Sequence, residues 1–320
     1  MESVIIIGGG CAGLTAALYT ARAELKPLVF TGDLKDKGGL LVKTSIVENY
    51  PGFPEGILGY DLIKNMEDQA VKYGARILDE EVVKVDFSEK IKKVYIKDGQ
   101  EYQAKCVIVA TGSKPNKLNL PEENKYWSKG ISSCAVCDGA LYRRKKVVVV
   151  GGGDSSLEEA NFLTKFSEVI LIHRRDSFRA SKAMQNKLFN NKKIKIIYDT
   201  VITKFHPNKA NENLLGAITI KNLKTENEEI LPVDGLFYGL GLTPNTSLFK
   251  NILDLDEAGY IIKKDHETEH ENEYETATSS LGVFVCGDSS DKIYRQAIVA
   301  AGDGCKAALD CNHYLTNFKD

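Results

Sequence analysis

Val4-Ile5-Ile6-Ile7-Gly8-Gly9-Gly10-Cys11-Ala12-Gly13 stands near the start of the chain, and Leu14 to Ala23 follows it as an Ala/Leu-rich helical stretch. Four consecutive apolar β-branched residues suit a strand buried on both faces. Pro27 to Phe30 is a second apolar run, and together these residues form a β–turn–α–β unit of about thirty residues. The same pattern returns at Lys146 to Val150, with the turn Gly151-Gly152-Gly153-Asp154-Ser155-Ser156, the helical stretch Leu157 to Phe166 and the strand Val169 to Ile172. Such a repeat predicts an α/β chain with two Rossmann-like dinucleotide-binding domains, not a solenoid.

Working outward, the sequence reads Tyr60 to Tyr73 as a helix, because Ile63, Met66, Ala70 and Tyr73 recur at helical spacing. Lys92 to Ile96, Cys106 to Val109, Ile196 to Phe205, Leu215 to Leu223, Glu229 to Val233 and Val283 to Val285 read as strands, and Gly235 to Gly241 runs into a loop at Leu242 to Thr246. Ala297 to Leu315 closes the chain as a helix. Asp265 to Glu275, with His266 and His270, is acidic and lacks either periodicity, so it reads as a solvated loop.

Bulk properties narrow the partners. A chain of 320 residues allows about two domains, each with its own core. A net charge of -2 gives no electrostatic reason for nucleic acid or an anionic membrane. The apolar runs are too short to span a bilayer, and Met1-Glu2-Ser3 leads straight into a strand without a basic n-region, so the cytoplasm is expected.

The two Gly-rich turns differ informatively. Glycine lets pyrophosphate approach the positive end of the following helix. Gly8, Gly10 and Gly13 complete the first fingerprint; Gly151, Gly153 and Ser156 give the second with a small third residue. After the second unit the chain reads His173-Arg174-Arg175-Asp176-Ser177-Phe178-Arg179, placing three arginines where an acid would select NAD. Arginine's planar fork suits the 2′-phosphate of NADPH. After the first unit stands Phe30-Thr31-Gly32-Asp33, without arginine, which makes that site the better candidate for FAD.

Seven cysteines occur: Cys11, Cys106, Cys134, Cys137, Cys286, Cys305 and Cys311. The count is odd and five are isolated, unlike a secreted disulfide framework. The five read as small buried hydrophobes. Cys134-Ala135-Val136-Cys137-Asp138-Gly139 is the exception. Zinc would need four ligands, and no second pair is present; His173 and His206 lack ligand spacing. A redox dithiol needs only two cysteines, and Asp138 stands beside them to exchange a proton with a departing thiolate. A hydride-donor site, a second dinucleotide site and a dithiol together call for a flavin between nicotinamide and disulfide.

With these residues in hand, the chain resembles the low-molecular-weight thioredoxin reductase family over its whole length. The resemblance rests on the first Gly-rich turn, Lys37-Gly38-Gly39, Val47-Glu48-Asn49-Tyr50-Pro51-Gly52, Ala110-Thr111-Gly112, the Cys134–Cys137 motif, His173 to Asp176 with Phe178-Arg179-Ala180, and Gly287-Asp288 with Tyr294-Arg295-Gln296-Ala297. It implies an FAD domain at 1–115 and 246–320, interrupted by an NADPH domain at 116–245 that carries the dithiol. It implies a homodimer whose domains rotate against one another, with thioredoxin as acceptor. It assigns Gly8, Gly10, Ala12, Gly13, Gly39, Leu40, Asn49, Thr111, Gly112, Gly287, Asp288, Arg295, Gln296 and Ala297 to FAD. It assigns Gly151, Gly153, Asp154, Ser155, Ser156, His173, Arg174, Arg175 and Arg179 to NADPH, the last three arginines taking the 2′-phosphate. Cys137 is the implied flavin-facing sulfur, Cys134 the interchange thiol and Asp138 the acid.

Some positions depart from the family pattern. Leu40 stands where Gln is usual, Cys11 where Pro is common, Cys286 where Ala is common, and Ala140-Leu141 where aromatic residues occur in some members. The final Asn317-Phe318-Lys319-Asp320 carries no extra cysteine pair, unlike the high-molecular-weight type. Three alternatives stand beside this reading: a flavin dithiol oxidase, a ferredoxin-driven relative and a nucleotide-binding redox sensor. The arginine set argues against the first two, and the dithiol beside Asp138 against the third.

Overall fold

The computed structural model describes residues 1–33, 37–44, 46–264 and 274–318. The acidic stretch read as a loop falls outside them except for Tyr274 and Glu275. The chain divides into two units, Met1–Lys114 with Thr243–Asp320, and Pro115–Leu242.

In the first unit the opening apolar run forms the strand Glu2–Ile7 at the middle of a seven-stranded sheet. Leu28–Phe30 and then Arg76–Leu78 lie parallel on one side; Glu101–Val109 lies parallel on the other, followed by Val283–Val285. Lys92–Ile96 and Val82–Asp86 extend the sheet as antiparallel strands. Both faces of the parallel part are covered, which is why its strands are apolar without alternation. Val4, Ile6 and Ile108 pack under the helices Cys11–Arg22 and Ala297–Thr316, while Ile5, Ile7, Val107 and Val109 pack against Phe87, Phe249 and Leu253. Burying each such side chain contributes roughly 1.5–3 kcal/mol. The two helices touch closely: a Cβ at Gly304 would lie 2.2 Å from the Ala12 carbonyl oxygen.

The second unit repeats the theme. Its five-stranded parallel sheet runs Ile131–Ser132, Gly235–Gly239, Lys146–Gly151, Glu168–Ile172, Ile194–Ile197. A separate antiparallel sheet joins Thr200–Pro207, Leu215–Asn222 and Glu228–Pro232. The stretch read as one strand from Ile196 to Phe205 is therefore two strands in two sheets. The chain breaks at Tyr198-Asp199, where Asp199 takes a positive φ of 51° that no continuous strand tolerates. A helix at Lys182–Asn190 was not anticipated, although Ser181 caps it by accepting from the Met184 N–H at 3.4 Å. No helix among the described residues is long and apolar enough to cross a membrane.

Candidate active site: two Gly-rich cradles and a disulfide

In the first unit the strand Glu2–Ile7 ends in the turn Gly8–Gly10, and Gly10 precedes the helix Cys11–Arg22 without a side-chain cap. Each glycine has its own reason. Gly8 has φ +124°, and a Cβ there would lie 2.1 Å from the Ala110 carbonyl oxygen. A Cβ on Gly13 would lie 1.9 Å from the Gly8 carbonyl oxygen, so helix and strand meet backbone to backbone. Gly10 is different: its nearest neighbour is the Gly38 carbonyl oxygen at 4.0 Å, and Gly39 similarly faces only Gly10 Cα at 4.0 Å. Open space before an uncapped helix start is a cradle that a Cβ would fill and that a pyrophosphate fits.

Further predicted residues converge on this cradle. Gly287 takes φ +66° and a Cβ there would lie 2.9 Å from Ala12 Cβ. Ala297 accepts a hydrogen bond from the Cys11 thiol at 3.2 Å, and the Asn49 amide donates to Gln296 Oε1 at 3.2 Å. The Asp288 carboxylate accepts from Ser113 at 2.9 Å; burial pushes its carboxyl up, and the Ser113 bond opposes that. Arg295, with φ 50°, is held by its N–H to Asp291 at 2.8 Å. Leu40 begins a one-turn helix at Leu41–Lys43 and is exposed. Ser289, which the sequence did not single out, is fully buried, accepts from the Gly112 N–H at 2.9 Å and pairs with the Thr111 hydroxyl at 3.2 Å.

The second cradle follows the same logic. Gly151 has φ +154°, with the Gly239 carbonyl oxygen 2.5 Å from where its Cβ would be. Ser156 replaces the third glycine, is fully buried and donates to the Gly153 carbonyl at 2.7 Å. Gly153 starts the helix Asp154–Leu163 uncapped, and its open face meets only the Arg179 guanidinium at 3.9 Å. Ser155 lies in that helix's first turn. Arg174, Arg175 and Arg179 are exposed and have no carboxylate partner among the described residues, whereas Asp176 pairs with Lys224 at 3.6 Å. A turn carrying three unneutralised guanidinium groups beside a Gly-rich helix start can take a phosphate.

The middle glycines of the two turns, missed in the sequence reading, have a shared cause. A Cβ on Gly9 would lie 2.6 Å from Thr31, and one on Gly152 would lie 2.0 Å from the His173 ring. Thr31 and His173 each directly follow the second strand of their unit, so the residue after that strand packs on the turn in both. His173 is buried against Phe178, and its Nε2 bonds the Ser177 carbonyl at 2.9 Å. Thus His173 faces the underside of the arginine turn.

Also in the second unit, Cys134 and Cys137 form a disulfide with Cα atoms 5.3 Å apart. Both cysteines are partly exposed. Cys134 precedes the short helix Ala135–Asp138 and its sulfur accepts the Cys137 N–H at 3.2 Å. The Asp138 carboxylate accepts from Ser132 at 2.6 Å, and the same hydroxyl accepts from the Cys134 N–H at 3.1 Å. Ser132, absent from the sequence reading, therefore holds Asp138 and the first cysteine together.

Residues 2–304 match the profile described as pyridine nucleotide-disulphide oxidoreductase. A thioredoxin reductase of Streptomyces coelicolor is 46% identical over 100% of this chain and 96% of its own, and thioredoxin reductase 1 of Saccharomyces cerevisiae is 45% identical over 99% of each. The solved thioredoxin reductase of Giardia duodenalis superposes with a TM-score of 0.89 at 42% identity, covering 98% of both chains. The chain belongs to the pyridine nucleotide-disulphide oxidoreductases, in the low-molecular-weight thioredoxin reductase family.

Like its relatives it is an oxidoreductase of the two-domain dinucleotide-binding fold. Of the residues that depart from the family's usual pattern, the two cysteines are buried and Leu40 is exposed. Cys11 sits at the first helix start, where burial pushes its thiol up to about 12 against a hydrogen bond from Tyr50. Cys286 is fully buried and its thiol is likewise raised by burial. Burial also raises Cys106, which hydrogen-bonds Cys311. Of the five free cysteines only Cys305 is partly exposed. A thiol reacts as its thiolate. Native oxidised protein at pH 8 is therefore expected to release about one equivalent of thionitrobenzoate from Ellman's reagent, and about five once denatured, as the five free thiols require. Rapid native reaction of three or more thiols contradicts the burial described.

Proposed function

We propose that the first unit holds FAD, the second holds NADPH, and the Cys134–Cys137 disulfide is the group that oxidised thioredoxin meets. The net reaction is NADPH plus a proton and a protein disulfide giving NADP+ and a dithiol. The observation that carries this reading is a partly exposed disulfide whose Cys134 backbone N–H donates to Ser132, the hydroxyl that also donates to the Asp138 carboxylate, in the unit whose arginine turn has no carboxylate partner among the described residues.

The first cradle suits FAD because its open glycine faces accept a pyrophosphate, while Asp288 and the Asn49–Gln296 pair offer polar contacts to a longer ligand. Bound there, a flavin supplies two-electron chemistry between a nicotinamide and a disulfide. The chain's own groups supply the rest. The Cys137 N–H pointing at the Cys134 sulfur is a donor that a negative sulfur uses, which suits Cys134 as the interchange thiol. Cys137 is then the sulfur that receives electrons from the flavin. Asp138 delivers the proton that a leaving thiolate takes up, and Ser132 holds its carboxylate in place. Arg174, Arg175 and Arg179 bind the 2′-phosphate. The proposal extends to a homodimer, as the resemblance implies, and to a cytoplasmic location.

The reading is tested by Asp138→Asn. Turnover with thioredoxin is expected to fall by about a hundredfold, the usual size of a lost acid–base group, while the protein stays yellow with one FAD per chain. Undiminished turnover removes Asp138 from the mechanism, and isolation without flavin under any condition removes FAD from the first cradle.

A further inference from the structure

The arginine turn is tied to the second Gly-rich turn at three places. The Arg179 N–H donates to the Gly152 carbonyl at 2.8 Å. The His173 ring fills the space a Gly152 side chain would need. The third tie is Asp154, whose Oδ1 accepts from both the Ser181 N–H at 2.9 Å and the Ser181 hydroxyl at 2.7 Å. Ser181 in turn caps the helix Lys182–Asn190.

Asp154 is the first residue of the helix Asp154–Leu163, at the end where a dinucleotide's phosphates are received. A carboxylate there has the same sign as those phosphates, so contact with them is unfavourable. Its oxygen is instead engaged by Ser181, and the two Ser181 donors hold its carboxyl below the usual range.

We propose that Asp154 is a positioning residue for nucleotide selectivity: through Ser181 it sets where Arg174, Arg175 and Arg179 stand relative to the Gly-rich turn, and it does not itself hold the dinucleotide. This rests on the reading that the arginine turn takes the 2′-phosphate of NADPH. Two consequences separate the role of the hydrogen bond from that of the charge. An amide at 154 still accepts from Ser181, so selectivity survives. An alanine accepts nothing, so the end of the arginine turn is released.

The test is isothermal titration of the oxidised, FAD-loaded protein with NADP+ and with NAD+, using wild type, Asp154→Asn, Asp154→Ala, Ser181→Ala and Arg175→Ala. Asp154→Ala is expected to weaken NADP+ by roughly tenfold, the size of one lost charge-assisted hydrogen bond, and to leave NAD+ within about twofold. Ser181→Ala, which loses the hydroxyl donor but keeps the backbone N–H to Asp154, shifts NADP+ in the same direction by less. Asp154→Asn keeps the ratio of the two affinities within about twofold of wild type. The proposal is overturned if Asp154→Ala preserves that ratio, or weakens both nucleotides alike as loss of a direct ligand would. If Arg175→Ala lowers the ratio while Asp154→Ala does not, only the positioning role fails. If wild type shows no preference, or Arg175→Ala leaves it unchanged, the 2′-phosphate reading fails and the proposal with it.

Discussion

Changing Cys134 to serine will lower thioredoxin-dependent NADPH oxidation by at least about a thousandfold, the loss expected when a nucleophile is removed outright. A serine hydroxyl cannot re-form the disulfide with Cys137, whose Cα stands 5.3 Å away in the native pair. Nor can it serve as a thiolate under the Cys137 N–H that now donates to the Cys134 sulfur. Both Gly-rich cradles are built from other residues, so the variant is expected to bind FAD and to reduce ferricyanide with NADPH at close to the wild-type rate. That pairing of results assigns the defect to the disulfide step. If Cys134→Ser still reduces thioredoxin at a rate within about tenfold of wild type, the dithiol is not the exit point.

Replacing Arg174 and Arg175 together by alanine will reduce the preference for NADPH over NADH by on the order of a hundredfold, the worth of two charge-assisted bonds to phosphate. Both side chains are exposed, and neither is neutralised by a carboxylate among the described residues. Their removal leaves the rest of the turn pinned through the buried His173 and Phe178. The change should appear as a raised KM for NADPH with kcat nearly constant, because the 2′-phosphate is remote from the hydride and its binding is uniform along the reaction. Activity with NADH should be unaltered. Equal losses with both nucleotides would mean that the arginines support the fold of the turn and do not read the phosphate.

Much of this was legible in the sequence because the two βαβ units depend on local signals. A β-branched run such as Val4 to Ile7 declares a strand covered on both faces, Gly8 and Gly151 declare turns, and Gly13 a close helix–turn contact, none of which admits a side chain. The cysteine pair and Asp138 were legible for the same reason, being adjacent in the chain. What escaped the reading depends on partners far away. Ser289 reaches Gly112 only because Val283–Val285 adds beside Glu101–Val109, and nothing near Ser289 announces that. Gly9 and Gly152 look like filler in a fingerprint until Thr31 and His173 are seen packed on them. The strand misread across Ile196 to Phe205 failed because apolar alternation continues through a left-handed Asp199, where the chain leaves one sheet for another. The helix Lys182–Asn190 buries only Leu188, too little apolar surface to mark a stripe.

The most direct test of the central claim is the rate of NADPH oxidation by the purified protein under anaerobic conditions, with thioredoxin and a chromogenic disulfide as final acceptor. The account predicts turnover that requires thioredoxin, strongly prefers NADPH to NADH and disappears with Cys134→Ser. NADPH consumption that needs oxygen and ignores thioredoxin would contradict it.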